Sequence, residues 1–439
     1  MESIIIWSAT LFLFLLIVIP SFLKFRRQQK QGAAQKKEAV HLGIDRPMAQ
    51  YPHIDQLRCI GCGACVAACP EGGVLGIVSG KATIINGLKC VGHGLCAQAC
   101  PVEGITIGLG DVRKRDDIPV MNEFNETNIP GIYIAGELGG LALIRNAVTQ
   151  GRMVVEKIAQ ITEHPASDQI REILIVGAGP AGLSAALTAH HNHLSYLLID
   201  QQEAGGTILQ YPRKKIVMTR PVELPLFGWL NKSEYSKEEL LAIWKEINSR
   251  FEIPLKTGEK LENITGQSQH FLVQTSKANY PARNVVLALG RRGTPRKLNV
   301  PGEQLPKVMY KLLDAESYQN EHLLVVGGGD SAIEAAMGLA RQKGNTVTLS
   351  YRKEKFFRIK SRNDKRINEM INANMVRVIF NSGVSEIIEK SVLLTTSQGP
   401  LSISNDYVFI FAGGEPPFDL LKKIGIRFGA ENSLTPQVS

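Results

Sequence analysis

Residues 173 to 182 read Ile173-Leu-Ile-Val-Gly177-Ala-Gly179-Pro-Ala-Gly182. A short apolar run closing on G-x-G-x-x-G predicts a buried parallel strand that turns sharply into a helix. The glycines let the backbone approach a pyrophosphate lying on the helix amino terminus. A small-residue helix follows, and then a second apolar strand, Tyr196-Leu-Leu-Ile-Asp200. It ends on an acid about 20 residues past the glycines, where a ribose hydroxyl would be taken. This context makes the motif a dinucleotide fingerprint and the chain α/β.

A second fingerprint, Leu323-Leu-Val-Val-Gly327-Gly-Gly329-Asp-Ser-Ala332, is the G-x-G-x-x-A version, with its second strand at Thr346-Val-Thr-Leu-Ser-Tyr351. That strand ends on Arg352 and Lys353, with Arg358 close behind. Cations there suit the 2′-phosphate of NADP, whereas NAD would prefer a carboxylate. NADPH is therefore favoured over NADH. The bland alternative makes Arg352 to Lys365 a solvated loop and helix face. After the first fingerprint, Gly205-Gly206-Thr207 is typical of enzymes whose dinucleotide is FAD.

Two such units in this order, with Ala288-Leu-Gly290 and Pro301-Gly302-Glu303 between them, resemble the two-domain flavoprotein reductases over most of residues 110 to 430. The resemblance is closest to the thioredoxin-reductase-like and bacillithiol-disulfide-reductase-like branch. It implies an NADPH domain inserted into an FAD domain. Gly177, Gly179, Gly182, Asp200, Gly206 and Thr207 would then serve FAD, and Gly327, Gly329, Ala332, Arg352, Lys353 and Arg358 would serve NADP. The family's thioredoxin reductases relay electrons through a C-x-x-C in the NADPH domain. Here the equivalent stretch, Asp314-Ala-Glu-Ser-Tyr-Gln-Asn-Glu321, has no cysteine, so a dithiol relay is excluded.

Such flavoproteins normally finish with a strand, a Gly-Asp pair and a helix pointing at the flavin, yet little chain follows Phe411-Ala-Gly-Gly414. The corresponding piece stands ahead of the first fingerprint, as Ile129-Pro-Gly-Ile-Tyr-Ile-Ala-Gly136-Glu137-Leu-Gly139-Gly140 and a helix-like run to Ile161. A circular permutation is expected. It would bring Gly136 and Glu137 to the FAD, with Glu137 where the family has Asp. The alternative is an ordinary surface helix.

All seven cysteines fall between Cys59 and Cys100. Cys59, Cys62, Cys65 and Cys69, followed by Pro70, have the C-x2-C-x2-C-x3-C-P spacing of bacterial ferredoxins, in which the fourth cysteine ligates the other iron-sulfur cluster. Cys90, His93, Cys96 and Cys100, before Pro101, repeat it with an imidazole in second place. Cys59, Cys62, Cys65 and Cys100 should then hold cluster I, and Cys69, Cys90 and Cys96 cluster II. Three readings compete for the missing sulfur: His93 ligates the fourth iron, the site is a three-iron cluster, or solvent fills it. Paired zinc sites would also use C-x2-C units, but two interleaved runs each closed by Cys-Pro fit zinc poorly. No cysteine is left for a disulfide framework, so the composition suits a reducing compartment.

From Ser3 to Leu23 there is no charged residue, a length able to cross a hydrocarbon core of about 30 Å at about 1.5 Å per residue. Lys24, Arg26, Arg27, Lys30, Lys36 and Lys37 follow it, which places those cations inside. The expectation is a single-pass anchor in a bacterial-type cytoplasmic membrane with the remaining domains in the cytoplasm. The six cations account for most of the net charge of +9 and read as partners for anionic headgroups. No basic stripe is interleaved with aromatics, so nucleic acid is not an expected partner.

The fold class is thus α/β: two Rossmann-like FAD and NAD(P) domains, a small α+β ferredoxin-like domain and an amino-terminal transmembrane helix. Expected boundaries are 1–23 anchor, 24–49 tether, 50–110 two-cluster domain, 111–165 permuted FAD segment, 166–302 FAD domain, 303–408 NAD(P) domain and 409–439 return and polar tail. Cofactor logic points to an enzyme in which NADPH, FAD and two iron-sulfur clusters exchange electrons to or from a one-electron partner. A non-turnover sensing subunit and a two-electron reductase of a small substrate are the alternatives. The partner would be a redox protein or small acceptor, and a homodimer is left open. No acid-base residue is assigned as catalytic, although Tyr211 and Pro212 could pack near the flavin. His190, His191 and His193 read as the polar end of a helix rather than a metal site.

Overall fold

The computed structural model describes residues 2–47, 50–109, 115–140, 143–162, 170–211, 213, 215–218, 221–232 and 234–429. Pro212, the polar tail after Glu431 and part of the Gly110–Ile118 spacer lie outside these. The chain divides into two units, Met1–Gly110 and Asp111–Ser439.

The smaller unit is a two-fold repeat of the cysteine motif. Strands Tyr51–Ile54 and Ile105–Gly108 pair antiparallel, as do Leu75–Val78 and Lys81–Ile84. Two single-turn helices, Ala64–Ala67 and Leu95–Gln98, each begin on a left-handed glycine, Gly63 and Gly94. Cys65 and Cys96 are buried with Val74, Leu75, Ile77, Ala82 and Ile105. So small an apolar set leaves the thiols as part of the core.

The amino-terminal helix corrects an expectation. It runs unbroken from Glu2 to His41, through Pro20 and through the cations that were to end a membrane span. Among the described residues no helix is long and apolar enough to cross a membrane. The transmembrane anchor and the single-pass membrane localisation are therefore withdrawn, and with them the headgroup role of the cations. The reason lies in the second half of the helix, which is charged yet packs on protein. Gly32 lies so close to the Ile77 carbonyl that a Cβ would sit 2.6 Å from its oxygen, Ala39 is buried, and Lys36 pairs with Asp45 at 3.2 Å. Residues expected to form the tether are thus helical as far as His41.

In the larger unit the first fingerprint strand, Arg171–Val176, lies parallel between Tyr196–Ile199 and Asn279–Leu287 in a seven-stranded sheet. Strand Ile132–Ile134 also pairs parallel with Asn279–Leu287, placing Ile134 beside Leu287. The segment ahead of the fingerprint thus completes the FAD-type sheet. Its helix, Ile144–Ile161, packs across the fingerprint helix Pro180–His191, and Gly151 makes the crossing close: a Cβ there would lie 2.1 Å from the Ala181 carbonyl oxygen. The Ser184 hydroxyl donates to the Val148 carbonyl at 2.7 Å, spending a buried polar group on the same contact.

The second fingerprint strand, His322–Val326, is the middle strand of a five-stranded parallel sheet, flanked by Tyr407–Ile410 and Thr346–Tyr351. A three-stranded antiparallel meander, Gly383–Ile388, Ser391–Thr396 and Gly399–Ser404, shares a hydrophobic core with it. Within this unit the two nucleotide folds are tied by Lys215 to Glu334 at 2.7 Å and Arg213 to Asp314 at 3.1 Å.

Candidate active site and candidate cluster sites

A cleft of about 520 Å³ opens at the carboxyl ends of the first sheet's parallel strands, where open α/β sheets bind their ligands. Gly136, Glu137, Gly177, Gly179, Asp200, Gly206 and Thr207 all line it. Each glycine has its own reason. Gly177 has φ +110° and a Cβ would lie 2.4 Å from the Ala288 carbonyl oxygen. Gly182 sits beneath the loop, its would-be Cβ 1.7 Å from the Gly177 oxygen, so it lets the helix pack on the strand. Gly179 faces open space apart from the Gly206 Cα at 3.8 Å, and it is the residue that starts the helix. That leaves an open cradle at the helix start into which a phosphate would fit.

Asp200 ends its strand as expected, but both its oxygens accept backbone hydrogen bonds, from Ala178 at 2.6 Å and Gln202 at 2.7 Å. It therefore fixes the fingerprint loop while facing the cleft. Burial raises its pKa against the pull of those two amides. The Gly136 amide donates to Oε1 of Gln150, a buried side chain that sequence reasoning missed. Glu137 is reached by solvent through the cleft and crowded by protein elsewhere. Desolvation raises its pKa, opposed by the charges of Arg291 and Arg292. Tyr211 also lines the cleft, its phenol pushed up by burial and by Glu137. Arg292 and Glu259 line it too and were not foreseen; the signal for Arg292 was its place just past Ala288-Leu-Gly290 at a parallel strand's carboxyl end.

At the second fingerprint, Gly327 has φ +145°, and Ala332 replaces the third glycine because its methyl fits under the loop, 3.1 Å from where a Gly327 Cβ would stand. Tyr351 lies against Gly328, whose Cβ would meet the ring at 2.1 Å, and stacks on Phe356 at 5.7 Å. Arg352, Lys353 and Arg358 are exposed. Arg352 and Arg358 act electrostatically on Tyr351, lowering a phenol pKa that burial raises. The run is held at the fingerprint, since Asp330 in the helix's first turn accepts from the Lys360 amide at 3.0 Å and from Asn363 Nδ2 at 2.7 Å. His190 and His191 occupy the last turn of Pro180–His191, with His193 just beyond.

The smaller unit holds two separate thiol-lined cavities. One is bounded by Cys59, Cys62, Cys65 and Cys100, the other by Cys69, Cys90, Cys96 and His93. The interleaving, with the last cysteine of each run reaching the other site, is thus present in the fold. Backbone amides point at sulfur: Ala82 donates to Cys59 Sγ and Gly104 to Cys100 Sγ, both at 3.3 Å. Burial pushes the Cys65 thiol up to about 11 and raises Cys69, Cys90 and Cys96. These are soft donors that iron would hold as thiolates. Among the described residues no three His, Cys, Asp or Glu side chains converge tightly enough for a single metal ion.

Two nucleotide folds with an FAD-type cleft, in one chain with a ferredoxin-like unit, define an iron-sulfur flavoprotein reductase. Residues 174–438 match the pyridine nucleotide-disulphide oxidoreductase family, and the chain belongs to it; residues 51–101 match the 4Fe-4S dicluster domain. The chain is 30% identical over 274 residues to a ferredoxin–NADP reductase of Ignicoccus hospitalis, covering 60% of this chain and 84% of that one. It is 28% identical to bacilliredoxin reductase Bdr of Bacillus subtilis, covering 59% and 81%. Among solved structures it is similar to the bacillithiol disulfide reductase Bdr of Staphylococcus aureus, with TM-score 0.53, 27% identity and coverage of 59% and 81%. The Bacillus cereus enzyme gives TM-score 0.54, 26% identity and coverage of 59% and 82%. The chain is therefore an FAD-dependent NAD(P)H oxidoreductase with an iron-sulfur domain.

Proposed function

We propose that this enzyme moves electrons between NADPH and a one-electron redox partner, using FAD and two iron-sulfur clusters. The observation that carries the reading is the pair of interleaved thiol-lined cavities in a chain that also has an FAD-type cleft. A similar chain named for ferredoxin and NADP supports it. Bound FAD would exchange electron pairs with the nicotinamide and single electrons with the clusters.

The protein's own residues supply binding and orientation. Gly179 and the helix start behind it cradle the FAD pyrophosphate, and Gly182 holds that helix against its strand. Asp200 keeps the loop in place, and Gly206, Thr207, Gly136 and Glu137 close over the cofactor. Arg292 sets a positive charge beside Glu137 and Tyr211 in the same cleft. Gly327, Gly329 and Ala332 admit the nicotinamide nucleotide, and Arg352, Lys353 and Arg358 select its 2′-phosphate. Cys59, Cys62, Cys65 and Cys100 hold cluster I, and Cys69, Cys90 and Cys96 hold cluster II.

The test is an anaerobic titration of the cluster-loaded protein with NADPH and separately with NADH, following flavin absorbance and low-temperature electron paramagnetic resonance. Flavin bleaching followed by a reduced-cluster signal is expected, at lower concentrations of NADPH than of NADH. Bleaching with the clusters still oxidised under strong NADPH excess would refute the shared electron path.

A further inference from the structure

We propose that Arg292 is the counter-charge for reduced flavin, holding the negative charge that the ring gains when a hydride arrives and so raising the potential of bound FAD. This deepens the proposed function and rests on its reading of the cleft as an FAD site.

Strand order divides that cleft. The fingerprint strand, Arg171–Val176, ends at the phosphate cradle and has a neighbour on either side. Tyr196–Ile199 lies on one side and leads to Asp200, at the position of a ribose acid. Glu259 joins it there, its amide donating to the Asp200 carbonyl at 2.9 Å. Asn279–Leu287 lies on the other side and leads to Arg292, while Ile132–Ile134, paired with it, leads to Glu137. A dinucleotide that crosses the cradle at its pyrophosphate, with its adenosine at Asp200, therefore has its flavin half on the side of Arg292. Two cations line the cleft among the described residues, and the other, Lys260, follows Glu259 on the adenosine side. Glu137, Glu415 and Asp419 are the remaining acids of the lining.

Two consecutive arginines follow the strand, and they are used differently. Arg291 donates to Asp117 at 2.6 Å and lies over the Phe418 ring at 5.4 Å, so its charge is matched. Arg292 is partly buried, and among the described residues no hydrogen bond or ion pair reaches its guanidinium. Burial lowers its pKa, and Tyr211 and Glu137 oppose that only at longer range. A desolvated cation is costly unless an anion joins it. A hydride is two electrons with one proton, so its transfer from NADPH leaves NADP⁺ and adds one negative charge to a neutral ring. Arg292 then gains its anion. The protein thus binds reduced FAD more tightly than oxidised FAD, and by linkage the potential rises.

The full chain, loaded with FAD and clusters, is equilibrated with redox dyes, the flavin potential is read across pH, and the dissociation constant of oxidised FAD is measured alongside. In Arg292→Gln the reduced cofactor should lose at least about tenfold more affinity than the oxidised one, a fall in potential of about 30 mV or more. Arg292→Lys should recover most of it. In the wild type the potential should change by about 30 mV per pH unit below neutrality, one proton per two electrons, because the reduced ring stays anionic. In Arg292→Gln the slope should steepen toward about 59 mV, two protons per two electrons. A wild-type slope of about 59 mV, or a wild-type potential in Arg292→Gln, would overturn the proposal. In the second case weaker binding of oxidised FAD would make Arg292 a phosphate clamp, and unchanged binding a solvated cation. A wild-type chain that takes up no FAD would overturn the parent reading as well.

Discussion

Gly179 and Gly182 belong to one motif, yet alanine should do opposite things at the two positions. At Gly182 the new Cβ would stand 1.7 Å from the Gly177 carbonyl oxygen, a backbone atom that cannot rotate away. The helix would have to withdraw by well over an ångström, opening the packing of Leu183, Ala186 and Leu187, which are almost fully buried. Overpacking of this kind costs about 1–3 kcal/mol or more. At Gly179 the Cβ meets only the Gly206 Cα at 3.8 Å, and φ, ψ of −78°, −172° suit alanine. There the unfolded-state gain of about 0.4–1 kcal/mol offsets a loss of similar size at the helix start. The methyl would instead occupy the pyrophosphate's approach. Gly179→Ala should therefore melt within a degree or two of wild type as apoprotein but bind FAD at least tenfold more weakly, about 1.4 kcal/mol. Gly182→Ala should lower the apoprotein's melting temperature or urea midpoint outright. Apoprotein melts and FAD titration by flavin fluorescence separate the two effects. Wild-type FAD affinity in Gly179→Ala, or wild-type stability in Gly182→Ala, would falsify the division of roles.

Three further outcomes follow from other contacts. Asp117 accepts hydrogen bonds from Arg115 at 2.8 Å and Arg291 at 2.6 Å, all three side chains being mostly buried; Asp117→Asn should cost about 1.5–3 kcal/mol at neutral pH. Burial alone would raise the Asp117 pKa, but the two arginines outweigh it and hold it low. Its stabilisation is thus complete above the unfolded value of about 3.9 and is lost as pH falls through the folded one, so the gap between wild-type and Asn melts should narrow below about pH 4. Arg352→Ala with Lys353→Ala should raise KM for NADPH at least about tenfold and leave KM for NADH nearly unchanged; equal effects on both nucleotides would remove the 2′-phosphate assignment. Cys62 is exposed, so Cys62→Ser should alter or abolish the cluster I signal while FAD content per chain, read by absorbance, stays at the wild-type value.

What could be read from residues alone was whatever depends on short-range covalent spacing. The apolar strand before Gly177, the glycine spacing and the cysteine runs each lie within about a dozen residues, and their local chemistry admits few structures. The segment around Gly136 also carried a legible signal, because a strand followed by a glycine-rich turn is itself a local pattern. The amino-terminal helix shows where this fails. An apolar run looks the same to a hydropathy count whether it stands alone or continues, and nothing near Leu23 signals that the helix carries on through its cations to pack at Gly32 and Ala39.

Residues that act across the fold were equally hidden. Gln150, Gly151, Arg292 and Glu259 have no motif of their own; each matters because of a partner brought close by folding, as Gln150 meets the Gly136 amide and Gly151 the Ala181 carbonyl. The sequence by itself determined the α/β character of the two nucleotide folds and their fingerprint loops, because these are set by backbone conformation at fixed spacing. Only the tertiary structure decided that Gln150 reaches the Gly136 amide, that Asp200 ties down its own loop, and that His93 turns its Nδ1 to an amide. Direction in space, unlike spacing along the chain, is fixed only when distant segments pack together.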